Sequence, residues 1–356
     1  MVDRMRLALL LAALSLMACP AAPTVDAGED FDAPGPYATG VTHLTVSTDG
    51  GRALPVEVWY PAQGSATADF AVETFEADPA RSAQLKTWVE AAPAKCTPRR
   101  ALGTRDAPHV GGAFPLIVFS HCDKGFRFSM HTLAARLASH GFLVAAPDHV
   151  DNTLFDAGAP LNDAFLAVRA DDIEAVIDVM LSSGQFDVDA SRVAMVGHSF
   201  GAVTTARVVE LDARVKGGFL IAAPADSILN NGGLARVTRP LSWVLAVEDN
   251  SISSIGNDFI RDNFLHAPKP TWLFEVENAG HWSFSDIAGL GGNFMPGCGD
   301  GVRELDGGTF SYLDNDEARA LAVRTITAWA RFTVDGDAHA KAALGDAHPG
   351  VLIKTR

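Results

Sequence analysis

The chain has 356 residues, 48% hydrophobic and 20% charged, and carries a formal net charge of −15 at pH 7. That is enough apolar material for a sizeable core, in one large α/β domain as easily as in two small ones. The acidic balance argues against nucleic acid as a partner and against electrostatic adhesion to an anionic membrane.

At the amino end, "MVDRMRLALLLAALSLMAC" places Arg4 and Arg6 ahead of an apolar run, Leu7 to Ala18, that stops at Cys19. The run is too short to span a bilayer and reads as the hydrophobic region of a secretory signal. "LMAC" at 16–19 resembles the bacterial lipobox. The resemblance implies that Cys19 is acylated, becomes the mature terminus and anchors an exported protein by lipid alone. Residues 20–38, rich in Pro, Ala, Asp and Gly, read as a flexible tether. The expected division is a lipoprotein-type signal (1–19), the tether (20–38), a single domain (39–340) and a C-terminal tail (341–356).

"GVTHLTVSTDGGRALPVEVWYPA" (40–62) predicts two β-branched strands joined at Asp-Gly-Gly, an antiparallel hairpin. Residues 63–113 are irregular apart from a short helix around "ARSAQLKTWVEAA". "FPLIVFS" (114–120) is a continuous apolar run, as expected of a strand buried on both faces. Met130, Leu133, Ala134 and Leu137 recur at helical spacing up to Gly141, and "FLVAAP" (142–147) is the next strand. Residues 162–183 predict a helix with Phe165, Val168, Ile173, Val176, Ile177 and Met180 on one face. "RVAMV" (192–196) is a strand and the segment after Ser199 a helix. "GGFLIAAP" (217–224), "SWVLAV" (242–247) and "TWLFEV" (271–276) complete the strands, and residues 316–334 form the closing helix. This alternation predicts a mostly parallel central sheet with an N-terminal antiparallel hairpin and helices on both faces. Reactive groups then belong at the carboxyl ends of the strands.

"GHSFG" (197–201) falls directly after a buried strand and before a helix. That is the context in which a serine between two glycines becomes a nucleophile on a strained turn. A serine hydroxyl needs a base, and His281 lies just beyond the last strand. His121, His149 and His198 precede or flank the motif and are expected to make structural hydrogen bonds. The chain order Ser–acid–His asks for a carboxylate between 199 and 281, and Asp249, at the end of "SWVLAVED", is the candidate.

Five stretches carry a resemblance to the α/β-hydrolase superfamily: "LPVEVWYP" (54–61), "IVFSHCDKGFR" (117–127), "ASHGFLVAAPDH" (138–149), "GHSFG" and "HWSFSD" (281–286). Within it the chain resembles the platelet-activating-factor acetylhydrolases and the bacterial dienelactone-hydrolase-like and cutinase-like esterases. The resemblance implies an α/β-hydrolase fold and Ca²⁺-independent hydrolysis of small or lipid-type esters through an acyl-enzyme, with no cofactor. It also implies an oxyanion hole from the backbone N–H groups of Phe200 and Asp123. Here Cys122 stands where those families carry glycine. Aligned without gaps on the cutinase-like esterases, Asn250 takes the acid position. The acetylhydrolases draw their acid from the preceding strand, where Asp226 is the nearest carboxylate, so Asp226 is held in reserve behind Asp249. Phe126, Phe128, Trp282 and Phe284 flank the proposed groups and are candidates for an acyl pocket or for core. The glycine-rich stretch 286–312 either rims the site or is a surface excursion. Cys96 and Cys298, both in Pro/Gly-rich sequence, are the expected disulfide, leaving Cys122 free. No His/Cys cluster has metal-ligand spacing. The alternatives are a hydrolase-fold binding protein and a lactone, amide or polyester hydrolase.

Overall fold

The computed structural model describes residues 28–64, 66–156 and 158–356. The signal segment and Cys19 lie outside the described residues. Strands β1 (Ala38–Ser47) and β2 (Ala53–Ala62) form the expected hairpin. The irregular stretch holds β3 (Asp69–Ala71), helix α1 (Pro79–Ala91), β4 (Arg100–Leu102) and β5 (Thr104–Arg105). Asp78 starts α1 by accepting the N–H groups of Ala80 and Arg81, with Pro79 at the first position, where its missing donor costs nothing. The alternation then runs β6 (Phe114–Ser120), α2 (His131–Ser139), β7 (Leu143–Pro147), α3 (Asp163–Ser182), β8 (Val188–His198), α4 (Phe200–Leu211), β9 (Val215–Ile221), β10 (Leu241–Ala246), α5 (Ser253–His266) and β11 (Trp272–Val276). A small hairpin, β12 (Asp300–Val302) and β13 (Thr309–Ser311), precedes α6 (Asn315–Asp335), α7 (Ala338–Ala343) and β14 (Val351–Thr355).

Ten of these strands make one sheet in the order β14-β11-β10-β9-β8-β6-β7-β2-β1-β5. The run from β7 to β11 is parallel, and β2 and β14 join it antiparallel. Alternate residues of each central strand enter two separate cores, which is why those strands read as unbroken apolar runs. In β6, Ile117 and Phe119 face one core and Leu116 and Val118 the other. Leu133 of α2 and Trp329 of α6 fill the first core; Ile173 of α3, Val208 of α4 and Ile260 of α5 fill the second.

Two expectations at the termini are corrected. The C-terminal tail is not an appendage: "VLIKT" pairs antiparallel with β11 and closes that edge of the sheet, where Lys354 meets Glu275. The tether docks from Glu29 onward. Its acidic residues, which composition reads as solvated, meet buried arginines: Glu29 pairs with Arg331 and His140, and Asp32 with Arg324. Phe31 stacks between His140 and His339, at 6.1 and 5.8 Å. His140 directly follows α2, Arg331 lies near the carboxyl end of α6, and Tyr37 of the same segment packs edge-on against Phe114, the first residue of β6. They mark the pole of the sheet opposite the strands' carboxyl ends.

Candidate active site

β8 ends in His198 and α4 begins at Phe200, so Ser199 alone makes the turn. Its backbone sits at φ 56°, ψ −121°, which no L-residue adopts without strain. The surroundings hold it there. Ser199 N–H donates to Ile221 on the neighbouring strand at 2.9 Å. A Cβ on Gly197 would lie 2.0 Å from the Gly201 carbonyl oxygen, and one on Gly201 1.9 Å from that of Ser120. Both glycines are therefore demanded by close approach of backbone to backbone.

His281 follows β11 and Asp249 follows β10, on adjacent parallel strands. Ser199 Oγ and His281 Nε2 are 2.8 Å apart, and His281 Nδ1 and Asp249 Oδ2 2.7 Å. Nδ1 facing a carboxylate keeps its proton, which leaves the Nε2 lone pair for the serine hydroxyl. The other carboxylate oxygen of Asp249 accepts the N–H groups of Ser251 and Ile252, both at 3.0 Å, which fixes its plane. His198 Nε2 donates to the His281 carbonyl at 2.9 Å, and Trp282 packs edge-on against the His281 ring at 4.7 Å. Burial, helped by the neighbouring His281, pulls the His198 pKa down to about 3, so it supports the loop as a neutral ring.

Asp226 does not reach this group. Its carboxylate accepts the Gly232 N–H, and its backbone is tied to Asn263 of α5. Asn263 of α5 holds the Asp226 backbone, while the residues that follow, Ser227 to Leu229, line the cleft at Ser199. Asn250 points the other way, to Tyr312. Of the carboxylates weighed from sequence, Asp249 is the one at the histidine.

The loop after β6 brings Asp123 beside Ser199 and Phe200. Cys122 is fully buried, and burial raises its thiol pKa, so it is a small inert hydrophobe. A Cβ on Gly125 would lie 2.5 Å from Cys122 Sγ, so Gly125 leaves the room that the larger residue at 122 needs. The Asp123 carboxylate is drawn aside by Asn152, whose side-chain amide donates to it at 2.6 Å. Among the described residues no acceptor takes the Asp123 N–H, and Phe200 N–H is one of the donors a helix start leaves free.

A cleft of about 300 Å³ opens onto Ser199. Leu161, Val203, Leu229, Ile252, Ile255 and Phe259 line it, and among the described residues Asp123 is its one ionisable lining residue. The aromatic candidates are corrected: Phe126, Phe128, Trp282 and Phe284 are buried in the core and none lines the cleft. Phe128 stacks between Phe126 and Phe75, at 4.9 and 4.7 Å, because the β6–α2 loop folds over the first core while the cleft opens over the second. The stretch 286–312 contributes no lining residue. It is pinned instead by the Cys96–Cys298 disulfide, with Cα atoms 5.8 Å apart, and by the Asp286 carboxylate on Thr132. Among the described residues no group of His, Cys, Asp or Glu side chains is arranged to hold a metal ion.

Strand order, the elbow serine, and the acid and base on the two following strand ends define an α/β-hydrolase fold carrying a Ser–His–Asp relay. Residues 31–159 match the family model described as platelet-activating factor acetylhydrolase, isoform II. That stretch holds Asp123 and Asn152 and ends before Ser199. The guinea-pig (Cavia porcellus) platelet-activating factor acetylhydrolase is 24% identical over 220 residues, 50% of this chain and 49% of that protein. Cutinase est2 of Thermobifida alba is 28% identical over 188 residues, 51% of this chain and 57% of that one. The chain thus spans about half the length of the curated relatives it matches. A ferulic acid esterase from Streptomyces cinnamoneus superposes with a TM-score of 0.67 at 20% identity, over 90% of this chain and 98% of its own. The two share the fold over that span.

Proposed function

We propose that the chain is a serine carboxylic-ester hydrolase. Ser199 attacks the ester carbonyl while His281 takes its proton, Asp249 stabilises the imidazolium, and the N–H groups of Phe200 and Asp123 hold the oxyanion. The acyl-enzyme is then hydrolysed by water activated by the same histidine. The observation that carries this reading is the strained Ser199 with its hydroxyl 2.8 Å from His281 Nε2, at the floor of an open cleft. The cleft lining favours an uncharged, apolar ester, since it offers no cation to an anionic substrate and one carboxylate that would repel it. The acyl-enzyme route needs no calcium. The test is labelling with a fluorophosphonate probe, followed by turnover of p-nitrophenyl esters of increasing chain length in EDTA. Absence of labelling, or activity that collapses on chelation, would sink the proposal.

We further propose that the protein is exported and held at a bacterial membrane through acylated Cys19. Support comes from the sequence around Cys19 and from a disulfide, which persists in an oxidising compartment. Metabolic labelling with a fatty-acid analogue should tag the wild type, and Cys19→Ser should release a soluble, untagged form. Complete partition of the wild type into the aqueous phase would refute the anchor.

A further inference from the structure

The two N–H groups of the oxyanion hole belong to segments far apart in sequence, the loop after β6 and the start of α4. One side chain touches both. Arg169 of α3 is fully buried and spends its guanidinium on them. One terminal nitrogen donates to the carbonyl of His121, two residues before Asp123, and to Ser120 Oγ at 3.0 Å. The other donates to Asn152 Oδ1 at 2.5 Å, and Asn152 passes a hydrogen bond on to the Asp123 carboxylate. Nε donates to Thr204 Oγ1 at 3.1 Å, and that hydroxyl donates to the Phe200 carbonyl at 2.9 Å. The guanidinium carbon also lies 4.7 Å from the centroid of the Phe200 ring.

We infer that Arg169, acting with Asn152, is the positioning residue of the oxyanion hole, an inference that rests on the proposed ester hydrolysis. A planar fork with fixed donors sets the distance between two peptide groups as no flexible ammonium can. Arg169 fixes the loop on both sides of the Asp123 N–H, at the His121 carbonyl and through Asn152 at the side chain. It fixes Phe200 at its carbonyl, through Thr204, and at its ring. The same contacts answer the electrostatic problem of an aspartate beside a developing oxyanion: its carboxylate is turned onto Asn152, with a cation directly behind. Arg169 touches no reacting atom, so its effect appears only where negative charge develops on the carbonyl oxygen.

The experiment uses Arg169→Met, Asn152→Ala and Thr204→Val in the full chain. It compares kcat and KM on a p-nitrophenyl ester, affinity for a trifluoromethyl ketone, and affinity for the secondary alcohol of the same shape. The ketone forms a tetrahedral oxyanion on Ser199; the alcohol only fills the cleft. Losing one donor of such a hole costs about 10²–10³ in rate. Arg169→Met should approach that loss in kcat, and the other two about tenfold or more, with KM held within about threefold. Ketone affinity should fall in step with kcat, while alcohol affinity stays put. If Arg169→Met does not fold, Asn152→Ala and Thr204→Val decide the matter by the same readouts. Unchanged kcat in the folded variants, or equal losses for ketone and alcohol, would overturn the inference while leaving the hydrolase reading intact. A wild type that takes no fluorophosphonate label would overturn both.

Discussion

Among the described residues there are two Ser–His–Asp chains. In one, Ser199, His281 and Asp249 are joined at 2.8 and 2.7 Å; in the other, Ser120, His149 and Asp172 are joined at 3.0 and 2.9 Å, through the same ring nitrogens in the same order. By hydrogen-bond geometry alone they are near twins. What separates them is everything around the hydrogen bonds. Ser120 is the last residue of a regular strand, sealed from solvent, and its oxygen already accepts from Arg169. Burial pulls the His149 pKa well below its usual value, reinforced by the charges of Arg169 and Arg52, and Arg52 grips Asp172 with two hydrogen bonds. Ser199 instead stands on a strained turn, in an open cleft, beside two unspent N–H groups. A nucleophile is made by access and by somewhere for charge to go; the relay is only part of it.

The comparison is broken most directly at the serines. Ser199→Ala should lower kcat by about 10⁶ and abolish the fluorophosphonate adduct. Ser120→Ala should still take one adduct per chain, mapped to Ser199 by mass spectrometry. An adduct on Ser120 in the Ser199→Ala variant would make the sealed chain reactive and void the distinction.

At the carboxylates, Asp249→Asn should cost about 10⁴ in turnover, since the wrong tautomer of His281 then faces Ser199. Asp226→Asn should remain within about tenfold of wild type. Steady-state kinetics on one ester settles the ranking, and the reverse order would reassign the acid.

The histidines should part in stability. His149→Phe leaves the buried Ser120 hydroxyl without its acceptor, at about 1–3 kcal/mol, and takes one hydrogen bond from Asp172, which Arg52 still holds. His281→Phe should silence turnover with a much smaller shift of the urea midpoint. Equal destabilisation would mean that both chains are structural.

The smallest effect is on pH. Folded His198 takes up its proton near pH 3, against about 6.5 in an unfolded chain. Between those values the unfolded chain is protonated at this site and the folded one is not. The stability it confers is therefore complete above about pH 6.5 and is lost as the pH falls, by up to about 1.4 kcal/mol per unit. Urea unfolding at pH 7.5 and pH 5 should show a steeper acid loss for wild type than for His198→Gln; parallel curves would exclude the assignment.

Most of the scaffold was legible, because parallel strands buried on both faces leave unbroken apolar runs, and a serine held by glycines at the end of one is a local signal. His281 and Asp249 could be read because chain order and strand ends restrict where they lie. The cleft could not be read in this way. Its walls, Leu161, Ile228 and Phe259 among them, come from loops and a helix that meet only in the fold, whereas the aromatics nearest the motifs in sequence turned into the core. Arg169 was equally hidden: one arginine on an amphipathic helix looks solvated until its guanidinium is found beneath a loop and a helix start. The docked amino-terminal segment and β14 were missed for a related reason, as single short stretches whose partners are distant in sequence, Arg331 for Glu29 and β11 for β14.

That docking has a practical side. The segment beginning at Glu29 enters at the pole remote from the cleft, and Arg356, next to the amino end of β11, leaves from the same pole. A bead, a carrier domain or a patterned surface coupled at Glu29 or at Arg356 therefore grips the molecule by its back. The cleft then faces the medium, and a film, a fibre or a suspended particle can be brought to it without the support in between.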